Sequence, residues 1–290
     1  MPKIKFFKKG QGLNLITGEK FFELADYICH GLALENVKNP PNICKPHKVL
    51  VVEGHNFAYA IEHIRKMQHE TFILISHNSD ANILDHPARD FDYNYSESKI
   101  PINVKKIFAQ NLDVLSDRIR PLPIGLENFK WHKGKKWQEI ESMIPQEFQR
   151  DKWLYVNHAI ATNPKEREEP YRIFKNTEWA TCKGKVSYLE YLTDLKQHKF
   201  RICPYGNGLD THSIWETLYM GCVPIVKKAV FTDIFSNHFP MIMIDEWKNV
   251  TIELMDEVYD LEAPYEGEYY KAKLDFDFWE KVIKGEIEIS

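Results

Sequence analysis

The sequence predicts an α/β protein made of two Rossmann-like halves, and three observations carry that expectation. Near-continuous apolar runs at residues 48–52 (KVLVV), 71–76 (TFILIS) and 153–157 (WLYVN) have the character of strands buried on both faces of a parallel sheet. Stretches of helical spacing alternate with such strands, as βαβ units require. The third is the segment 200–226, FRICPYGNGLDTHSIWETLYMGCVPIV, which reads as strand, glycine loop, helix, glycine stop and strand. At 290 residues the chain suits two domains better than one core.

In chain order, residues 4–7 suit a first strand. Residues 21–34 suit a helix, with Phe22, Ala25, Ile28, Cys29 and Leu32 on one face. Asn39-Pro40-Pro41 is a loop. The strand at 48–52 ends in Glu53-Gly54-His55-Asn56, and a helix runs on to Met67. The strand at 71–76 ends in His77-Asn78-Ser79-Asp80. Ile107 and Phe108 open another strand, followed by Gln110-Asn111, and residues 120–124 lead into Gly125-Leu126-Glu127-Asn128. Residues 130–150 are charged and poor in strand signal, so the boundary is placed at their end. The first domain is then 1–150 and the second 151–260, with 261–290 a tail or helix able to pack back on the first.

The second domain repeats the pattern. The strand at 153–157 meets the loop Ala161-Thr162-Asn163-Pro164, then helices near 171–176 and 185–197. The glycine-loop unit follows, then a strand at 241–244, a helix at 249–259, and a closing helix around Phe276, Phe278 and Trp279. In the loop Tyr205-Gly206-Asn207-Gly208, two glycines around an Asn invite positive φ. Ile214, Trp215, Leu218 and Tyr219 recur at helical spacing, and Gly221 stands where a helix-ending glycine belongs.

Composition narrows the function. A net charge of −4 provides no global field to recruit nucleic acid. The five cysteines show no CxxC pair, which argues for reduced thiols and a cytoplasmic setting rather than a zinc ribbon. The N-terminus, MPKIKFFKKG, is basic but lacks an apolar stretch after it, and no run approaches a membrane span. No HExxH, GxSxG or Walker A sequence occurs.

A glycine loop between a strand and a helix N-terminus offers backbone N–H groups and a positive dipole end to an anion, most often phosphate. Two Rossmann-like halves would then form a cleft, with a nucleotide held in the second half and an acceptor in the first. His212 and Glu216 share a helix face. One reading has Ser213 and the loop N–H groups on a diphosphate and Glu216 on a ribose. The other makes Ser213 and Glu216 a capping box that serves only the backbone. Spacing leaves the two even. Arg167 and Arg172 flank the Thr162-Asn163-Pro164 loop and could clamp phosphate, although surface arginines are usually solvated. Asp80, with His77 as competitor, could serve as general base, whereas turn or cap roles are the plainer reading of Asp80 and Asn78. The triplets Asp90-Phe91-Asp92 and Asp275-Phe276-Asp277 are short metal-diphosphate patterns that recur by chance.

The run Cys203-Pro204-Tyr205-Gly206-Asn207-Gly208-Leu209-Asp210-Thr211-His212, continuing through Trp215-Glu216 to Gly221-Cys222-Val223-Pro224, resembles the exostosin-like glycosyltransferases of family 47. TNPKER at 162–167, HNSD at 77–80 and PIGLEN at 123–128 extend the resemblance. It implies a GT-B fold and an inverting transfer from a UDP-sugar to an oligosaccharide or glycoprotein hydroxyl. It implies no cofactor and no metal, since a helix dipole and side chains hold the diphosphate in such folds.

By this resemblance, the donor is bound by Asn157, Thr162, Arg167, Arg172, Pro204, Tyr205, Gly206, Asn207, Gly208, Asp210, Thr211, His212, Ser213 and Glu216. Asp80 or His77 acts as base, and His55, Asn56, Asn78 and Glu127 meet the acceptor. Many relatives carry Arg where this chain has Ser213, so Arg167, Arg172 or Arg201 substitutes for the missing charge. The lack of the usual membrane anchor resembles compact members in bacteria and large DNA viruses, including chlorovirus-type enzymes that use UDP-xylose. A non-catalytic sugar-nucleotide or glycan-binding protein of the same fold, and a metal-dependent GT-A transferase, are the alternatives.

Overall fold

Residues 14–83, 99–112, 116–144, 150–260 and 268–289 are described in the computed structural model. The strand expected at 4–7, the basic N-terminus and the triplet at 90–92 lie outside them. The chain divides into two compact units. The first comprises Ile16–Ile124, Gly208–Asp210 and Phe276–Ser290, and the second chiefly Gly125–Asn207 and Thr211–Asp275. The division falls at Ile124/Gly125, earlier than the position near 150 read from the sequence, because residues 130–144 fold with the second unit. The charged stretch that looked like a linker contains a helix, Trp137–Met143, which packs on the helix Tyr188–Gln197 of that unit.

The first unit is a six-stranded sheet. Its strands are β1 (Tyr27–His30), β2 (Ala33–Asn36), β3 (Lys48–Glu53), β4 (Phe72–His77), β5 (Val104–Ala109) and β6 (Ile119–Pro121). Their order across the sheet is β2-β1-β3-β4-β5-β6, and all neighbours are parallel except the antiparallel hairpin β1–β2. Val49, Leu50, Val51 and Val52 are wholly buried, as are Phe72, Leu74 and Ile75, which accounts for their unbroken apolar character. Helix α1 (Gly18–Glu23) precedes the sheet, and α2 (Phe57–Lys66) joins β3 to β4.

The helix expected over 21–34 is instead α1 followed by β1 and β2. Tyr27, Ile28 and Cys29 pair in parallel with Leu50, Val51 and Val52, and Gly31 turns the hairpin at φ 57°. Aromatic and branched side chains suit that half-buried strand, and pairing with β3 overrides the helical spacing.

The second unit is a five-stranded, wholly parallel sheet in the order β11-β10-β9-β7-β8. Its strands are β7 (Lys152–Val156), β8 (Ala180–Cys182), β9 (His198–Ile202), β10 (Val223–Lys227) and β11 (Ile242–Ile244). The helices are α3 (Trp137–Met143), α4 (Pro164–Phe174), α5 (Tyr188–Gln197), α6 (His212–Tyr219), α7 (Val230–Ser236), α8 (Ile252–Asp260) and α9 (Glu268–Lys273). The closing helix α10 (Phe276–Lys284) belongs with the first unit. Gly221, at φ 68°, ends α6 in the left-handed conformation expected of it.

The two sheets differ in one respect that decides where a ligand fits. In the first, the parallel strands follow chain order across the sheet. In the second, the chain passes from β7 to β8 on one side and then returns to place β9 on the other side of β7. In open α/β sheets the carboxyl ends of the two strands flanking such a reversal are where ligands bind, and here those strands are β7 and β9. Among the described residues, no helix is long and apolar enough to cross a membrane.

Candidate functional site

Asn157 and His158 follow β7, and the loop from Cys203 to Thr211 follows β9, so both segments lie at the strand-order reversal. Asn163 joins them: its Oδ1 accepts from the Glu166 N–H and starts α4, while its Nδ2 donates to the Gly206 carbonyl at 2.7 Å. Pro164 occupies the first helical position, where its missing N–H costs nothing. The short turn Ile160–Thr162 precedes it, with Thr162 exposed.

One turn into α4, Arg167 reaches back across the loop. Its Nε donates to the Tyr205 carbonyl at 2.8 Å and one terminal nitrogen donates to the Ala159 carbonyl at 3.1 Å. Gly206 is required by this arrangement, since a Cβ there would stand 2.9 Å from the other terminal nitrogen. Gly206 and Gly208 do not adopt positive φ, contrary to the reading of the loop. They are glycines for close approach, Gly208 because a Cβ would lie 2.7 Å from the Asn111 side chain.

Arg201, on β9, is buried. It donates to the Asn157 carbonyl and the Ser213 carbonyl, each at 2.8 Å, and to the Thr217 hydroxyl, while its Nε has no hydrogen-bond partner. Among the described residues neither Arg167 nor Arg201 stands within ion-pair distance of a carboxylate, although the Arg201 charge is felt by the buried Glu216. Burial, then the neighbouring Arg201 charge, push the Arg167 guanidinium below its ordinary value. Arg167, half-buried and lowered by its like-charged neighbour, is the member of the pair that gains from an anion. Arg172 is exposed in the last turn of α4 and, among the described residues, has no hydrogen bond to the loop.

His158, unremarked in the sequence, sits beside the arginines. Its Nε2 lies 2.7 Å from the Arg167 carbonyl and its buried Nδ1 has no partner. Burial, reinforced by the two arginines, lowers it to about 4, so the ring is neutral at pH 7, with Nε2 donating.

Helix α6 begins at His212 with Thr211 as its cap residue. No side chain caps the backbone there, and the hydroxyls of Thr211 and Ser213 bond each other at 2.7 Å. This overturns the capping box at Ser213 and Glu216, because the helix starts two residues too early for it. His212 Nδ1 lies 2.8 Å from the Gly125 carbonyl. Pro204 is buried, Asn207 is exposed, and the Tyr205 hydroxyl reaches the carbonyls at the end of β10, with burial raising it to about 12.

Glu216 is 2% exposed. Its two oxygens accept from Tyr188 at 3.0 Å and Tyr191 at 2.8 Å, and the Lys133 ammonium stands 3.4 Å away over both rings. Burial raises its pKa, but the Lys133 and Arg201 charges and the Tyr191 hydroxyl outweigh that and hold the carboxyl below its ordinary value. Tyr188 and Tyr191 recur at helical spacing within 185–197 with Leu192 and Leu195; a buried hydroxyl needs a partner, and that was the available clue to this cluster. Lys133 carried no such signal.

The remaining candidates lie in the first unit. Asp210 is buried, its carboxylate accepting from the Ile124 N–H and its own N–H donating to Asn111, so it secures the loop. His77 is wholly buried: Nδ1 accepts from the Asn78 N–H at 2.9 Å and Nε2 donates to the Pro123 carbonyl at 3.0 Å. With both nitrogens occupied and the Phe21 ring tilted against it at 4.6 Å between centroids, His77 is a structural histidine and not a base. Asn78, at φ 54°, is a turn residue whose side chain lies against Gly18. Asp80 follows it and is exposed, on a loop whose Ser79 carbonyl is held by Gln110 and Asn111. Asn56 is buried against an exposed His55 that neighbours Glu53.

Glu127, in the second unit, spends one oxygen on the N–H groups of Lys133 and Gly134. Asp275 accepts from the Asn14 N–H, and Asp277 lies in the first turn of α10, which gives that triplet a structural account.

No family model and no curated protein sequence matches the chain. Among solved structures, the UDP-GlcNAc 2-epimerase of Methanocaldococcus jannaschii, in complex with UDP-GlcNAc and UDP, matches 78% of this chain and 73% of its own, at 11% identity and a TM-score of 0.33. T4 phage β-glucosyltransferase matches 84% of this chain and 82% of its own, at 12% identity and a TM-score of 0.35. Likenesses at this distance bear on neither the activity nor the role of any residue.

Proposed function

We propose that the chain is a GT-B glycosyltransferase that takes its donor, a UDP-sugar, at the strand-order reversal of the second unit. The observation that carries this reading is the pair Arg167 and Arg201, held by backbone carbonyls beside the N-terminus of α6, which no side chain caps. Such a site suits a diphosphate. The resemblance of the Cys203–Pro224 run to family 47 supplies the sugar and the transfer.

In this proposal the acceptor hydroxyl gives its proton to Asp80 and attacks the anomeric carbon on the face opposite UDP, inverting the centre. The bond to the diphosphate oxygen breaks, and the α6 N–H groups with the two arginines stabilise the developing charge without a metal. Glu216 reaches the ribose only if one of its partners yields. Lys133, the partly exposed member, is the one free to move, and the diphosphate offers it a second anion. UDP-xylose is the donor we put first.

The experiment is a panel of UDP-sugars assayed for stabilisation of the protein and then for transfer or hydrolysis, with and without EDTA. One UDP-sugar should bind and turn over with EDTA present, and Asp80→Asn should cut turnover by about 10²-fold or more while leaving UDP affinity nearly intact. Full activity in Asp80→Asn removes the base; binding without turnover of any donor leaves a non-catalytic binding protein.

A further inference from the structure

The start of α4 sets three acids around the arginine read as an anion ligand. Residues 165–169 are KEREE, so Glu166, Glu168 and Glu169 all lie within two residues of Arg167. Glu168 and Glu169 are exposed, whereas the Glu166 side chain is only 21% exposed. Burial and then the Glu166 charge raise the Tyr205 hydroxyl, so this carboxylate is felt at the residue whose carbonyl Arg167 holds.

Glu166 stands at the third helical position behind the Asn163 cap, where a Glu commonly turns back to accept from the cap residue's own N–H. Here the Asn163 N–H donates to the Ile160 carbonyl instead, and the Glu166 carboxylate accepts from the Lys227 ammonium at 2.8 Å. Lys227 closes β10, the strand beside β9, and so lies at the carboxyl end of the sheet, as the donor loop does. Its side chain is 24% exposed and its ammonium lies 5.9 Å over the Trp247 ring, which shields the pair in part from water. Among the described residues neither Glu166 nor Lys227 makes a second ion pair.

We infer that Lys227 is a positioning residue for the donor: it neutralises Glu166, so that Arg167 offers its full charge to a diphosphate. The inference rests on the anion-site reading given above and deepens it by naming what keeps that site cationic. Adjacent helix positions do not face one another, so Glu166 does not bridge Arg167 where it stands. Without Lys227, a part-buried carboxylate one residue from the guanidinium repels the incoming diphosphate and draws Arg167 off the loop. The competing reading is a plain brace between α4 and β10, and the two readings differ in what they expect of Glu166.

The test is calorimetric titration of UDP, with uridine as the uncharged control, into the full chain as wild type, Lys227→Gln, Glu166→Gln and the double variant. Lys227→Gln should weaken UDP about tenfold and leave uridine unchanged, and the loss should shrink as salt rises. Glu166→Gln should bind UDP as tightly as wild type or more so, and the double variant should regain what Lys227→Gln loses. A loss in Glu166→Gln equal to that in Lys227→Gln shows a brace. A double variant no better than Lys227→Gln shows Lys227 itself on the phosphates. Either result overturns this inference and leaves the anion-site reading standing. Equal binding of UDP and uridine by the wild type defeats the anion-site reading and this inference with it.

Discussion

Taking the Glu216 carboxylate out of water is costly unless hydrogen bonds and opposite charge replace its hydration. Tyr188, Tyr191 and Lys133 do so at 2.8–3.4 Å. Because the folded carboxyl lies below the unfolded one, its contribution is fully present above the ordinary carboxylate range and is lost as pH falls through the depressed folded value. Glu216→Gln should therefore destabilise the protein by about 1–3 kcal/mol at pH 7, and the gap from wild type should close as the medium becomes strongly acidic. Denaturant titrations across pH check this; a gap that persists in acid removes the charged role. Spacing along the chain left Glu216 between a cap and a ribose ligand. The cap failed because α6 starts at His212, a boundary set by tertiary packing. Its partners come from Lys133 and from α5, neither of which local sequence connects to Glu216. His77 failed as a base for a similar reason: its confinement comes from Phe21 and the Pro123 carbonyl, both remote in sequence.

The glycine loop between β9 and α6 was legible as an element: its strand, helix and closing Gly221 all lie where the apolar runs and the glycine stop put them. Why Gly206 is glycine was not legible, because the group that crowds it, Arg167, comes from α4. Gly206→Ala presses its Cβ on the tip of a flexible side chain, which can swing aside at little cost. The substitution should change stability by less than about 1 kcal/mol, yet weaken UDP binding about tenfold as Arg167 leaves the loop. Comparing melting temperature with UDP affinity separates these; a large stability loss with unchanged affinity would show the glycine to be purely structural. The hairpin β1–β2 shows the opposite limit, since helical spacing over 21–34 gave way to pairing with β3.

Across the whole molecule, both parallel sheets followed from the buried apolar runs, while the division at Ile124/Gly125 did not, because α3 packs on α5 rather than forming a linker. Strand order was equally hidden, and it matters most: among parallel strands only those of the second sheet reverse, and Arg167 and Arg201 lie where they do. The account stands on an anion site at that reversal. Its most direct measurement is calorimetry of UDP and of uridine with wild-type protein and with Arg167→Gln. UDP should bind at least about tenfold more tightly than uridine, and Arg167→Gln should remove most of that advantage while lowering the melting temperature by only about 2–4 °C. Equal affinity for UDP and uridine, or an undiminished preference for UDP in Arg167→Gln, would contradict it.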